Sequence, residues 1–146
     1  MFKKIAAVMA IIMGMAIAAP AMAQGVVHKI AFHVDENDPK LMNMTLNNVQ
    51  NVTAYFESIG DTVEIQVVAY GPGLNMFRAN SPVADRIATL SLELDDITFA
   101  ACGNTLRKME AKTGGPVELL SEAEVVPSGV VQLVMLQEAG WSYIRP

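Results

Sequence analysis

Apolar stretches of strand length alternate with segments of helical periodicity along this chain, and few architectures accept that order. Val26 to Val34 is β-rich, and the polar run Asp35-Glu36-Asn37-Asp38 closes it. Asp38-Pro39 then offers an N-cap and a first-turn proline. Met42, Leu46, Val49, Val52, Phe56 and Ile59 recur at steps of three and four up to Gly60, a left-handed helix stop. Val63 to Tyr70 reads as a second strand, nearly continuous in apolar residues from Val67 as expected when both faces are covered. Gly71-Pro72-Gly73 breaks it, Leu74 to Phe77 suits one helical turn, and Ser81-Pro82 starts a second main helix with the buried stripe Val83, Ile87, Leu90 and Leu94. A third strand from Ile97 ends at Cys102, and a Gly103-Asn104 turn leads into a short helix from about Thr105 to Thr113. Val117 to Leu120 is the next strand candidate. Ser128 caps a last helix carrying Val130, Leu133, Val134 and Leu136, Gly140 stops it, and Trp141 to Ile144 makes a final strand. The alternation predicts an α/β fold: a mainly parallel sheet of about five strands, helices on both faces, right-handed crossovers.

The start of the chain is expected to stand apart from that sheet. Lys3 and Lys4 precede an apolar run from Ile5 to Ala18, and Ala21-Met22-Ala23 is an A-x-A cleavage site, so residues 1–23 read as a secretory signal peptide. The run is shorter than the roughly 20 residues that span a bilayer, and no later stretch approaches that length. Removing 23 of 146 residues leaves 123, one domain over residues 24–146, released into the periplasm with no membrane attachment after cleavage. The two lysines leave with that segment and no acid does, so the formal charge moves from −5 to −7. Such a balance disfavours nucleic acid and anionic membrane surfaces.

Chemistry concentrates at the strand ends. In an open parallel sheet all strands finish on one edge, where ligand sites gather; His33 and Asp35, Tyr70 and Gly71, and Cys102 all fall there. Cys102 is the sole cysteine and stands at a strand-to-helix junction, where unpaired N–H groups and the helix dipole favour a thiolate. Gly103, Asn104 and Thr105 supply that junction, and the Gly103-Asn104 turn is expected to leave the sulfur accessible. A buried, inert core thiol is the competing reading. For His33 the choice lies between a proton acceptor for the thiol and a solvated loop residue. A metal held by Cys102, His33 and Met76 is a third possibility, without the spaced ligand pair that such sites show. No phosphate-binding loop, dinucleotide fingerprint or G-x-S-x-G elbow occurs, so no cofactor is expected; Asp95-Asp96 reads as a solvated turn.

Three segments resemble the DsrE/DsrF-like family: Phe99-Ala100-Ala101-Cys102-Gly103-Asn104-Thr105-Leu106, Val125-Val126-Pro127-Ser128-Gly129-Val130, and Leu136 to Pro146. Leu46 to Asn51 and Ala69-Tyr70-Gly71-Pro72-Gly73 fit the same pattern, so the resemblance covers nearly the whole chain after the signal segment. It implies a three-layer α/β/α fold, assembly with itself as a homotrimer or hexamer, and a cysteine that carries sulfur as a persulfide within a relay. Cys102 matches that cysteine by position. The function so implied is periplasmic handling of sulfane sulfur on Cys102, with a donor or acceptor protein as partner; the alternative is a non-catalytic module that binds a small ligand or partner and has a structural cysteine.

Overall fold

Strand β1 (Val27–Val34) buries its last five residues, and Asp38 then starts helix α1 (Pro39–Ser58) by accepting the Lys40 N–H on its carboxylate at 2.9 Å. This computed structural model describes residues 25–146; the expected signal peptide and cleavage point lie outside them. Strand β2 (Thr62–Ala69) runs into a 3₁₀ segment (Gly71–Phe77), followed by helix α2 (Ala84–Glu93) and strand β3 (Ile97–Cys102). Helix α3 (Gly103–Thr113), strand β4 (Ala123–Val126), helix α4 (Gly129–Glu138) and strand β5 (Ser142–Ile144) complete the chain.

The sheet is parallel throughout, in the order β4-β3-β2-β1-β5. The steps from β1 to β4 move in one direction, so right-handed crossovers put α1, α2 and α3 on one face; the return to β5 moves the other way and puts α4, alone among the described helices, on the opposite face. Register explains the packing. Phe32, Val67 and Phe99 pair across three strands and point into the larger core with Met42, Leu46, Val49, Ile87 and Leu90. Phe77 meets Phe99 edge-on, ring centroids 5.7 Å apart, and truncating either ring to alanine costs about 3–5 kcal/mol. One residue along, His33, Val68 and Ala100 pair and face the other way, where Ala31, Val68 and Ala100 meet Leu133 and Leu136 of α4.

The α/β/α architecture and the parallel sheet agree with the sequence reading; several boundaries do not. Val117–Leu120 is not a sheet strand. It lies antiparallel to the chain leaving the 3₁₀ segment, with the Ala79 N–H donated to the Glu118 carbonyl and the Leu120 N–H to the Phe77 carbonyl. The fourth strand is Ala123–Val126 instead, an edge strand with exposed Glu124 and Val125, too short and too open to show an apolar run. Helix α2 begins at Ala84, because Ser81 spends its carbonyl and hydroxyl on a turn that holds Ala84 and Val83. Ile59 is exposed beyond the end of α1 rather than part of its buried stripe. Among the described residues no helix is long and apolar enough to cross a membrane.

Candidate functional site

No turn separates the third strand from its helix. Cys102 is both the last residue of β3 and the N-cap of α3, so Gly103, Asn104 and Thr105 form the first helical turn instead of leading up to it. Side-chain alternation sends the sulfur to the α4 face, where a second helix begins. A Cβ on Gly129, the first residue of α4, would lie 3.1 Å from the Cys102 Cβ and 3.0 Å from the Tyr70 Cβ, so glycine lets that helix start close to both without displacing either side chain. Two helix N-termini therefore converge on one thiol.

The hydroxyl of Thr105 completes the arrangement. Its oxygen accepts the Gly71 N–H at 2.9 Å, in a turn where Gly71 takes φ +54°, leaving the hydroxyl proton free to be directed at sulfur. Cys102 is only 4 % exposed. Burial pushes its pKa up and is the largest single influence. The Thr105 hydroxyl and the N–H groups of Gly129, Thr105 and Asn104 nevertheless carry it below the ordinary thiol value. The neutral side chain closes no capping hydrogen bond, as expected of a weak acceptor whose donors gain strength once the sulfur is charged. Burial and the surrounding donors thus act on the thiol in opposite directions, and the sulfur itself lies covered rather than open.

His33 and Asp35 belong to an adjoining cluster. His33 is buried, 4 % exposed, which removes the solvated-loop reading. Its Nδ1 lies 2.7 Å from the Tyr143 hydroxyl and its ring centroid 4.5 Å from that of Tyr70; Nε2 has no hydrogen-bond partner among the described residues. It is not the thiol's proton acceptor: β2 stands between β1 and β3, which separates the two backbones by about 10 Å, and the Tyr70 ring fills the gap. Asp35 accepts from Arg145 at 3.0 Å, and Arg145 also reaches Glu36 at 3.1 Å. Met76 lies in the larger core, on the opposite face from Cys102, so the metal set considered above is not assembled. Tyr70, raised in pKa first by burial and then by Asp35, Tyr143 and Cys102 among its neighbours, stays a neutral phenol linking the two clusters.

Gly129, Tyr143 and Arg145 lie in segments that the sequence reading quoted, but were not named there as site residues. The glycine after Ser128 was a usable signal, since Ser128 occupies the N-cap without a hydroxyl capping bond and it is Gly129 that the packing favours. Tyr143 and Arg145 carry no local signal: each acts on a residue 110 positions away, across the β1–β5 pairing.

Burial lowers the His33 pKa from 6.5, Asp35 opposes this and Arg145 adds to it. An unfolded chain therefore takes up that proton first as pH falls. Stability is full above about pH 6.5 and declines as pH drops through the folded value, by at most about 1.4 kcal/mol per pH unit for one proton. Urea midpoints between pH 7.5 and 5 are expected to slope downward in the wild-type protein and to flatten in His33→Gln. Equal slopes in the two would assign the dependence to other groups.

A model of the DsrE/DsrF-like family matches residues 10–146 of this chain. No curated protein matches it. Among solved structures, the protein of unknown function MTH1491 from Methanobacterium thermoautotrophicum is similar with a TM-score of 0.70 and 37% identity, the match covering 82% of this chain and 99% of that one.

Proposed function

Since the chain belongs to the DsrE/DsrF-like family, a membership that points to sulfur-relay chemistry, we propose that it is a sulfur-handling protein that carries sulfane sulfur as a persulfide on Cys102. The observation that supports this reading is the thiol itself, shifted toward thiolate against the pull of burial by the Thr105 hydroxyl and two helix N-termini. The thiolate attacks the sulfane sulfur of a donor R–S–S⁻, a new S–S bond forms on Cys102, and R–S⁻ leaves with the electron pair of the broken bond. An acceptor thiolate reverses the step. The charge that moves out to the terminal sulfur stays within the field of the same donors.

Burial of Cys102 favours the second reading, a binding module with a structural cysteine, and one experiment separates the two. Iodoacetamide alkylation of the native protein is expected to rise through a midpoint below the roughly 8.5 of a free thiol. Exposure to polysulfide is expected to add the mass of one sulfur atom to the wild-type chain and nothing to Cys102→Ser. A thiol that reacts only after denaturation, with no mass gain, would leave the binding module.

The lysine pair, apolar run and Ala21-Met22-Ala23 support export to the periplasm. Amino-terminal sequencing of the product is expected to begin at Gln24; an intact Met1 on a membrane-bound chain would contradict it.

A further inference from the structure

Beside Cys102, on the far side of Thr105, lies a cleft of about 460 Å³ between the 3₁₀ segment and α3, lined by Gly71, Pro72 and Asn75 and by Thr105, Lys108, Met109 and Lys112. The Thr105 hydroxyl that tunes the thiol is part of its wall. The lining is more apolar than polar, through Pro72 and Met109, and two ammonium groups one helical turn apart stand at it. Neither lysine has a carboxylate within ion-pair distance among the described residues, where Lys29 and Arg145 are both paired. Glu110, the only acid of α3, instead accepts the Val117 N–H at 3.4 Å. With Arg107, Lys108 and Lys112 against Glu110, this helix is locally basic in a chain of formal charge −5. Lys112, in the last turn, also offsets the helix dipole; Lys108, in the middle of the helix, has no such role.

We propose that this cleft binds a small organic anion, its apolar body on Pro72 and Met109 and its anionic head turned to the Thr105 end, with Lys108 the nearer and Lys112 the farther of the two charges that attract it. Resting on the persulfide reading above, that anion is the sulfur donor to Cys102, an organic thiosulfonate R–SO₂–S⁻ being the simplest form with all three features. The Cys102 thiolate attacks the outer sulfur, the bond between the two sulfurs of the donor breaks, and the electron pair leaves on the sulfinate R–SO₂⁻. Charge balances, and no proton or outside oxidant enters. Both reactants are anions, so in an acidic protein the encounter needs local positive charge, which the lysines of α3 bring to this edge of the cleft.

Two measurements on the full mature chain test the site. Titration calorimetry of benzenesulfonate against Cys102→Ser reads binding without transfer. The Lys108→Gln/Lys112→Gln change is expected to weaken it about five- to tenfold, the size expected of two exposed ion pairs, with an unchanged thermal midpoint. Intact mass after benzenethiosulfonate, with inorganic thiosulfate as the donor lacking an apolar body, reads transfer to the wild-type thiol. The aryl donor is expected to load Cys102 faster than thiosulfate, and the double variant to lose that advantage. Benzenesulfonate binding that is absent or indifferent to the lysines would overturn the cleft, while loading by polysulfide would still uphold the persulfide function. Lysine-dependent binding with no loading from any donor would uphold the cleft and overturn its role as a donor site.

Discussion

Gly73→Ala is expected to cost about 3 kcal/mol or more, enough to remove much of the 5–15 kcal/mol that holds a domain of this size together. A Cβ at this position would stand 2.2 Å from the Val34 carbonyl oxygen, 2.5 Å from its carbonyl carbon and 2.8 Å from the Asp35 Cα. Every one of those atoms is backbone, so no rotamer change relieves the clash. Overpacking against side chains typically costs 1–3 kcal/mol because they yield. Here relief requires parting the end of β1 from the 3₁₀ segment, which breaks the 3.2 Å bond from the Tyr70 N–H to the Val34 carbonyl. Tyr70 and Gly71 would move with it, and Gly71 holds the Thr105 hydroxyl in place. Urea unfolding is expected to give a sharply lowered midpoint with the slope preserved, and Cys102 alkylation a higher apparent pKa. Gly115→Ala, where an added Cβ meets nothing within 4 Å, is the control and is expected to stay within about 0.5 kcal/mol of wild type. A loss below 1 kcal/mol for Gly73→Ala would mean that the β1 end yields freely.

What could be read in advance follows from how local each signal is. Helix α1 was legible because its cap, first-turn proline, apolar stripe and left-handed stop at Gly60 (φ +85°) all lie within its own residues. Strands β1 to β3 were legible because sheet positions covered on both faces leave long apolar runs. Strand β4 was not, since an edge strand with one open face tolerates Glu124 and an exposed Val125. Cys102 was found as a lone thiol before a helix. Its second donor set at Gly129 depends on where α4 returns over the sheet, and the His33–Tyr143 contact depends on β5 docking against β1, choices made by the crossover and not by neighbouring residues. The expectation that Gly103 would expose the sulfur failed for a similar reason: α4 covers from across the sheet what the backbone turn alone would leave open.

The same return crossover leads to the second large effect. Among the described residues helix α4 is the only helix on its face, and it is apolar nearly all round. Leu133 and Leu136 pack on the sheet, while Val130, Val131, Val134 and Met135 are exposed, with Val125 at the end of β4 also bare. An ordinary surface helix carries charge on its outer side, and contiguous exposed apolar residues of this kind mark an interface. The short edge strands β4 and β5 offer little backbone for further pairing, so association through side chains of α4 is the expected route. Light scattering of the mature chain at micromolar concentration is therefore expected to report self-association, as the trimer or hexamer that the family resemblance implies. Val131→Lys/Met135→Lys is expected to report a monomer, with association weakened by about two orders of magnitude, because each half-buried apolar side chain contributes on the order of 1 kcal/mol and each introduced ammonium must be desolvated at the contact. Both positions face outward, so circular dichroism and the urea midpoint of the separated chain should change little. A wild-type protein that stays monomeric throughout that range would remove the interface, and a double variant that still assembles would move it to another face of the molecule.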